Sequence, residues 1–263
     1  MAAQYYHIIY DLIMAKYPLK IFPSGHVFLD TSDNCREAAD ALEEINYTED
    51  FCLAIDFDPY FIARLMDAGF LVMSCRLEES KESNETEESD DPETDVKTRF
   101  ILLPKHHLIR SCLFFHELHI KKTIRNKLEK YELRFDSDFD RITDNCIRIH
   151  GSDWLTRPFM HCIREIRNLD KMPVKPVSFA LYRDNRLLAG EFGIISGRVY
   201  TSYSGYYEEE NAGTIQMILT ARMLEKSDFA FWDLGMPLDY KLTLGAKDIS
   251  RKEFMELFRN ASM

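Results

Sequence analysis

The sequence predicts an α+β fold. Three observations carry that expectation. Residues 176 to 207 alternate in hydropathy and are punctuated by hairpin turns, as an antiparallel meander is. Amphipathic stretches at helical spacing lie on both sides of that meander. The order of elements is mixed, without the repeating βαβ units of a parallel sheet.

Taken in order, "MAAQYYHIIYDLIMAKYP" spaces its Tyr, Ile and Leu residues as an amphipathic helix does. It lacks a basic leader and a small-residue cleavage site, so a signal peptide is not expected. "KIFPSGHVFLD" reads as a strand pair and "REAADALEEI" as a helix. In "DFDPYFIARLMDAGFLVM", Asp58 suits an N-cap and Pro59 the first helical position. Phe61, Ile62, Leu65 and Met66 then share one face, and Gly69 ends the helix. Beyond residue 98, "RFILLP" reads as a strand, "HELHIKKTIRNKLEKYE" as a helix and "ELRFD" as a strand. "FDRITDNCIRIH" and most of "WLTRPFMHCIREIRNLDK" look helical. The meander turns at Asp184-Asn185 and Ser196-Gly197. "NAGTIQMILTARMLEKSD" stacks Ile215, Leu219 and Met223 along a helix, with Ile218 beside them. "FAFWDLG" is a buried strand with Asp233 at its exit, where Gly235 and Pro237 break the structure. The last helix, "SRKEFMELFRNA", opens on a capping box of Ser250 and Glu253.

The 263 residues suit one large domain or two smaller ones. The pattern divides them into an N-terminal α+β region (1–77), an acidic disordered loop (78–98) and a C-terminal domain (99–263). Residues 99–135 are placed where they can pack with the N-terminal region. No apolar run reaches the roughly 18 residues needed to cross a bilayer, so no membrane partner is expected. Six cysteines are scattered without a CxxC pair, which suits reduced, mostly buried thiols of a cytoplasmic protein. The histidines of "KHHLIRSCLFFH" lack ligand spacing and are expected at the surface, so no metal site is expected.

The formal charge of −11 argues at first against a nucleic-acid partner. Its location changes that reading. Residues 78 to 95 hold ten acids and one Lys, leaving about −2 for the rest. That segment has no apolar side chain to offset its ordering entropy. It is either a solvated insertion or a mimic that competes with nucleic acid for a basic face. Such a face exists: Lys121, Lys122, Arg125, Lys127 and Lys130 crowd one short stretch, with Ile120, Ile124 and Leu128 on its inner side. This is a solvated surface or a phosphate-contacting strip. Walker, GxGxxG, acyl-CoA, GxSxG and HExxH motifs are all missing, so the simplest enzyme classes find no support.

The order "LLPKHHL", "HELHIKKTIRNKL", "DWLTR", "RLLAGEFGIISGRVYTSYSGYYEEENAGT" and "DLG…DYKLTLGAKDISRKEF" resembles the leucyl/phenylalanyl-tRNA–protein transferases, over residues 99 to 259. "FDPYFIARLMDAGFL" is a weaker match to that family's N-terminal part. The resemblance implies an acetyltransferase-like C-terminal domain, with a mixed, largely antiparallel sheet flanked by helices. It implies an enzyme that moves an amino acid from aminoacyl-tRNA to the N-terminal α-amine of a protein, marking that protein for N-degron degradation. No cofactor is expected, and the protein is expected to be a monomer. Lys121, Lys122, Arg125 and Lys127, with Lys130, then become tRNA contacts, and Trp154 stacks on the terminal adenine.

At the site the sequence departs from the family. Asp233 keeps the family's catalytic Asp, but its Gln is replaced by Gly235. Asp239 matches a second family Asp, whereas the following His is Tyr240 here. The family's second Trp is Met73, and its Ser-Lys pair is Gly213-Thr214. The position of an apolar donor-pocket residue is taken by Glu191. Tyr200 and Tyr203 stand where the family has Phe and Glu, and Met217 keeps an apolar wall. Glu191 either turns to solvent or meets a guanidinium, which would make the donor arginyl-tRNA in place of leucyl or phenylalanyl. The alternative function is a non-catalytic descendant that binds aminoacyl-tRNA or protein N-termini. A third is an acyltransferase with another activated donor.

Overall fold

A computed structural model of the chain describes residues 19–77 and 99–262. The expected N-terminal helix and the acidic loop fall outside the described residues. The centre is a seven-stranded sheet in the order β11-β5-β10-β9-β8-β7-β6. Its strands are β5 (Ile109–Leu113), β6 (Glu132–Phe135), β7 (Lys175–Arg183), β8 (Arg186–Ser196), β9 (Val199–Tyr207), β10 (Phe231–Asp233) and β11 (Lys247–Ser250). Only β9 and β10 run parallel, and every other neighbour is antiparallel. This is the mixed, largely antiparallel α+β sheet that the sequence predicts.

Both faces of the sheet are covered, which explains why β7 and β8 read as nearly continuous apolar runs. Val177, Phe179 and Leu181 of β7 enter one core with Ile215, Ile218 and Leu224 of α6 (Ala212–Lys226). Ala180 and Tyr182 enter the other. There they join α4 (Phe139–His150) and α5 (Arg157–Asn168). The same second core contains Phe61, Ile62 and Leu65 of α2 (Pro59–Asp67), and Phe254 and Phe258 of α8 (Arg251–Ser262).

The amino-terminal part holds the short pair β1 (Lys20–Ile21) and β2 (Val27–Phe28), then α1 (Cys35–Glu44) and α2. Asp58 caps α2 by accepting from the Phe61 amide at 2.7 Å. The hairpin of β3 (Leu71–Leu77) and β4 (Arg99–Lys105) follows, in full antiparallel register. The meander turns fall at the expected Asp184-Asn185 and Gly197, all with positive φ. The Glu253 amide donates to Ser250 Oγ at 3.3 Å, half of the expected capping box. All six cysteines are free, five of them buried. No described helix is long and apolar enough to cross a membrane.

Two sequence expectations are corrected. The basic stretch is not one helix: α3 (Lys122–Arg125) is a single turn between 3-10 turns at Phe115–Glu117 and Leu128–Lys130. Ile124 and Leu128 are its buried anchors, while five cations crowded between residues 121 and 130, some of them three or four apart, repel along the exposed side. So short a segment does not sustain a helix unaided. His106 and His107, expected at the surface, are buried in the β4–β5 connection. Burial and the nearby Arg251 and Arg110 hold His106 well below the ordinary imidazole range, so it is neutral. Burial likewise lowers His107, against the opposing pull of Asp50, 3.1 Å away.

Candidate functional site

The parallel pairing of β9 with β10 lasts only from Val199 to Thr201. Beyond it β10 ends, and among the described residues no strand pairs with the second half of β9 on that side. The opening holds a cavity of about 780 Å³. That is within the usual size of a small-molecule pocket. Its walls are β9 from Ser202 onward, the first turns of α6, the segment Leu234–Lys241, and Leu71 and Met73 of β3. Trp154 also lines it, and its carbonyl accepts from Ser74 Oγ at 2.7 Å. The amino end of α6 faces the cavity through Asn211, Gly213 and Thr214, so the positive end of that helix points inward.

Glu191 lies in the wall and is 5% exposed. It does not turn to solvent. On β8 it pairs with Phe179 and Gly205, and a Cβ on Gly205 would sit 3.1 Å from its own Cβ. The register shift between Phe192 and Gly193 leaves Tyr203 as the extra residue of β9. A bulge of this kind re-aims neighbouring side chains. The carboxylate is oriented by a relay: the Trp232 indole donates to Ser202 Oγ at 2.8 Å, and Ser202 Oγ donates to Glu191 Oε1 at 3.2 Å. Burial raises the Glu191 carboxyl to about 7, against the nearby Tyr200, Ser202, Gln216 and Lys241. Near neutral pH the carboxyl is therefore partly protonated.

Tyr203 and Met217 also line the cavity. The Tyr203 hydroxyl accepts from the Val72 amide at 3.0 Å, and its ring lies beside Phe159 and Phe192. Tyr200 stands behind the wall, fully buried against Phe179 and Trp232. Its hydroxyl has no hydrogen-bond partner of good geometry among the described residues, although it lies close enough to Glu191 to be raised by that acid as well as by burial. Gly235 lines the cavity with φ of 78°, a backbone conformation that a side chain would strain.

Asp233 and Asp239 do not line the cavity. Asp233 is 1% exposed and fully engaged: Oδ2 accepts from Arg110 at 3.2 Å and Thr201 at 3.1 Å, and Oδ1 from the Gly235 amide at 2.9 Å. Arg110, equally buried, also donates to the Gly69 carbonyl at 2.9 Å and stacks over Phe254. Asp233 thus holds the turn at Gly235 from behind. Asp239 is exposed at the start of α7 (Asp239–Leu244). Trp154, Glu191, Tyr203, Met217 and Gly235 are brought together. The five cations are exposed on the α3 segment, whose Ile124 and Leu128 pack into the same core as α6.

Gln216 and Lys241 are among the polar groups of the wall that escaped the sequence reading. Gln216 is buried, donating to Thr220 at 2.9 Å. Lys241 is 4% exposed, and its ammonium donates to the carbonyls of Leu234 and, at 2.6 Å, Met236. Burial lowers it to about 8. Lys241 sits five residues after a surface Met in an exposed-looking run, so no sequence signal marked it as buried.

The sequence model of the leucyl/phenylalanyl-tRNA protein transferase family matches residues 112–259. A protein named leucyl/phenylalanyl-tRNA–protein transferase from Campylobacter lari is 27% identical over 150 residues, covering 56% of this chain and 67% of that protein. One of the same name from Pseudomonas putida is 26% identical over 152 residues, covering 56% and 66%. The match thus spans about two thirds of the length of these relatives. A solved C-terminal domain (DUF2156) of a putative lysylphosphatidylglycerol synthetase from Agrobacterium fabrum aligns over 93% of this chain and 76% of its own, at 11% identity and a TM-score of 0.38. A likeness that distant carries no argument.

Proposed function

Because the chain belongs to the leucyl/phenylalanyl-tRNA protein transferase family, we propose that it moves an amino acid from aminoacyl-tRNA to the N-terminal α-amine of a protein, and that its donor is arginyl-tRNA. The observation that carries the donor assignment is Glu191, an acid buried in the cavity wall with its carboxylate aimed by Ser202. A leucyl or phenylalanyl side chain would leave that acid without a counter-charge, at a cost in binding. A guanidinium supplies both the charge and paired N–H donors. Trp154 and Met73 in the cavity lining suit the terminal adenine, and the cations of Lys121, Lys122, Arg125, Lys127 and Lys130 suit the tRNA backbone.

The chemistry asks little of the protein. An aminoacyl ester is already activated, so catalysis rests on holding amine and ester together and moving one proton. Asp233 acts as a positioning residue: it fixes Arg110 and the Gly235 turn that forms one side of the cavity. The reaction belongs in the cytoplasm, where charged tRNA is made, and its product would enter an N-degron route. An arginyl donor also suits acceptors that begin with Asp or Glu.

The test is transfer of labelled Arg, Leu and Phe from their tRNAs to peptides beginning with Asp, Glu, Arg or Lys. Arg transfer to an acidic N-terminus is the expected result. Leu or Phe transfer alone would keep the family chemistry and remove the donor assignment. No transfer, with charged tRNA still bound, would favour the non-catalytic descendant.

A further inference from the structure

Joining an amine to an ester moves a proton from the amine nitrogen to the leaving oxygen, and the cavity wall offers few groups able to carry it. Glu191 is committed to the donor side chain under the reading above, on which this inference rests. His150 is exposed at the end of α4 and its Nε2 is hydrogen-bonded to the Gly205 carbonyl at 2.7 Å. Lys241 remains. Its nitrogen meets two backbone carbonyls, Leu234 and Met236, and has no further hydrogen-bond partner among the described residues. The Tyr240 ring, also in the cavity wall, lies 5.8 Å from it. A neutral lysine amine has two N–H groups and one lone pair. With both N–H groups held by the carbonyls, the remaining tetrahedral direction is free for the lone pair.

Burial moves the amine toward that neutral form, which becomes the major one above about pH 8. Burial is the largest influence, aided by Arg110 on β5 and opposed by Asp233 on β10, Asp248 on β11 and Glu191 on β8. A cationic donor seated on Glu191 would cancel the last of these, so filling the cavity itself helps to free the amine.

We propose that Lys241 is a catalytic residue that accepts a proton from the attacking α-amine and returns it to the departing ribose oxygen. As the nitrogen–carbon bond forms, one N–H proton passes from the neutral α-amine to the Lys241 amine. As the ester carbon–oxygen bond breaks, the same proton passes to the departing ribose oxygen, which leaves as a hydroxyl, and Lys241 is restored.

The test joins single-turnover kinetics to direct titration of Lys241 by NMR of its side chain. The donor is arginyl-tRNA, and the binding probe is adenosine 3′-arginylamide, a non-transferable mimic. The ratio of wild-type to Lys241→Arg rates cancels titration of the acceptor's own amine. That ratio should rise with pH to about 100 or more, the usual contribution of a positioned base. Its midpoint should match the Lys241 titration near 8, which should fall when the mimic binds. Affinity for the mimic should change less than threefold in the variant. A Lys241→Arg protein that transfers at the wild-type rate overturns the proposal, as does a Lys241 that titrates at the free-lysine value. Should the variant fail to fold, the comparison of the wild-type titration with the wild-type pH–rate midpoint decides. A wild-type protein inactive with every donor overturns the functional reading and this role together. Activity without dependence on Lys241 overturns this role alone.

Discussion

Replacing Glu191 by Gln removes the buried charge on which donor choice depends, while keeping size and one hydrogen-bond acceptor. Breaking one side of a buried, hydrogen-bonded ion pair costs about 3–5 kcal/mol. Taking the lower end, because Gln still accepts a hydrogen bond, gives roughly 150-fold weaker binding of an arginyl donor at about 1.4 kcal/mol per tenfold. The pH dependence has a definite sign. Burial raises Glu191 to about 7, so the anion that a guanidinium needs is the minority form below that pH. By simple titration it is roughly one-tenth populated at pH 6 and nine-tenths at pH 8. Wild-type affinity for adenosine 3′-arginylamide should therefore rise roughly ninefold from pH 6 to pH 8, and affinity of Glu191→Gln should stay flat. Isothermal calorimetry measures both, and the leucyl and phenylalanyl amides serve as controls. An arginyl affinity that is flat with pH in the wild type, or equal in the variant at pH 8, would refute the reasoning.

The same acid affects folding. Its folded value lies above the unfolded value of about 4.5, so stability is lost as pH rises from there to about 7, roughly 3 kcal/mol in all. Urea unfolding at pH 5 and 8 should show Glu191→Gln escaping that loss relative to wild type, and parallel curves would contradict it. Asp233→Asn breaks the buried pair with Arg110 and should cost about 3–5 kcal/mol of stability. A loss under about 1 kcal/mol by the same assay would deny Asp233 its supporting role. Reversing charge at Lys121 and Arg125 together should weaken tRNA use for every donor alike and flatten its salt dependence. A change confined to one donor would remove the strip from the tRNA interface.

Much of the fold was legible because its signals are local. The meander announces itself through Asp184-Asn185 and Ser196-Gly197, and α2 through Asp58, Pro59 and its apolar face. What stayed hidden depends on partners distant in sequence. β5 reads as polar because Arg110 interrupts it, yet that arginine is buried by pairing with Asp233, 123 residues away. β11 and α7 are too short to show a period of their own. The site was legible where a residue contradicts its surroundings, as Glu191 does within an apolar strand. It was not legible where burial alone confers the role. Asp233 reads as a catalytic acid at a strand exit but lies behind the wall, whereas Lys241, which no sequence signal singles out, is buried in the cavity wall.

The most direct measurement is a crystal structure of the full chain with adenosine 3′-arginylamide bound. The account predicts the guanidinium within hydrogen-bond distance of the Glu191 carboxylate, the adenine against Trp154 and the amide carbonyl on the Lys241 side of the cavity. An arginyl group pointing to solvent with Glu191 unpaired, or a ligand outside the opening between β9 and β10, would contradict it.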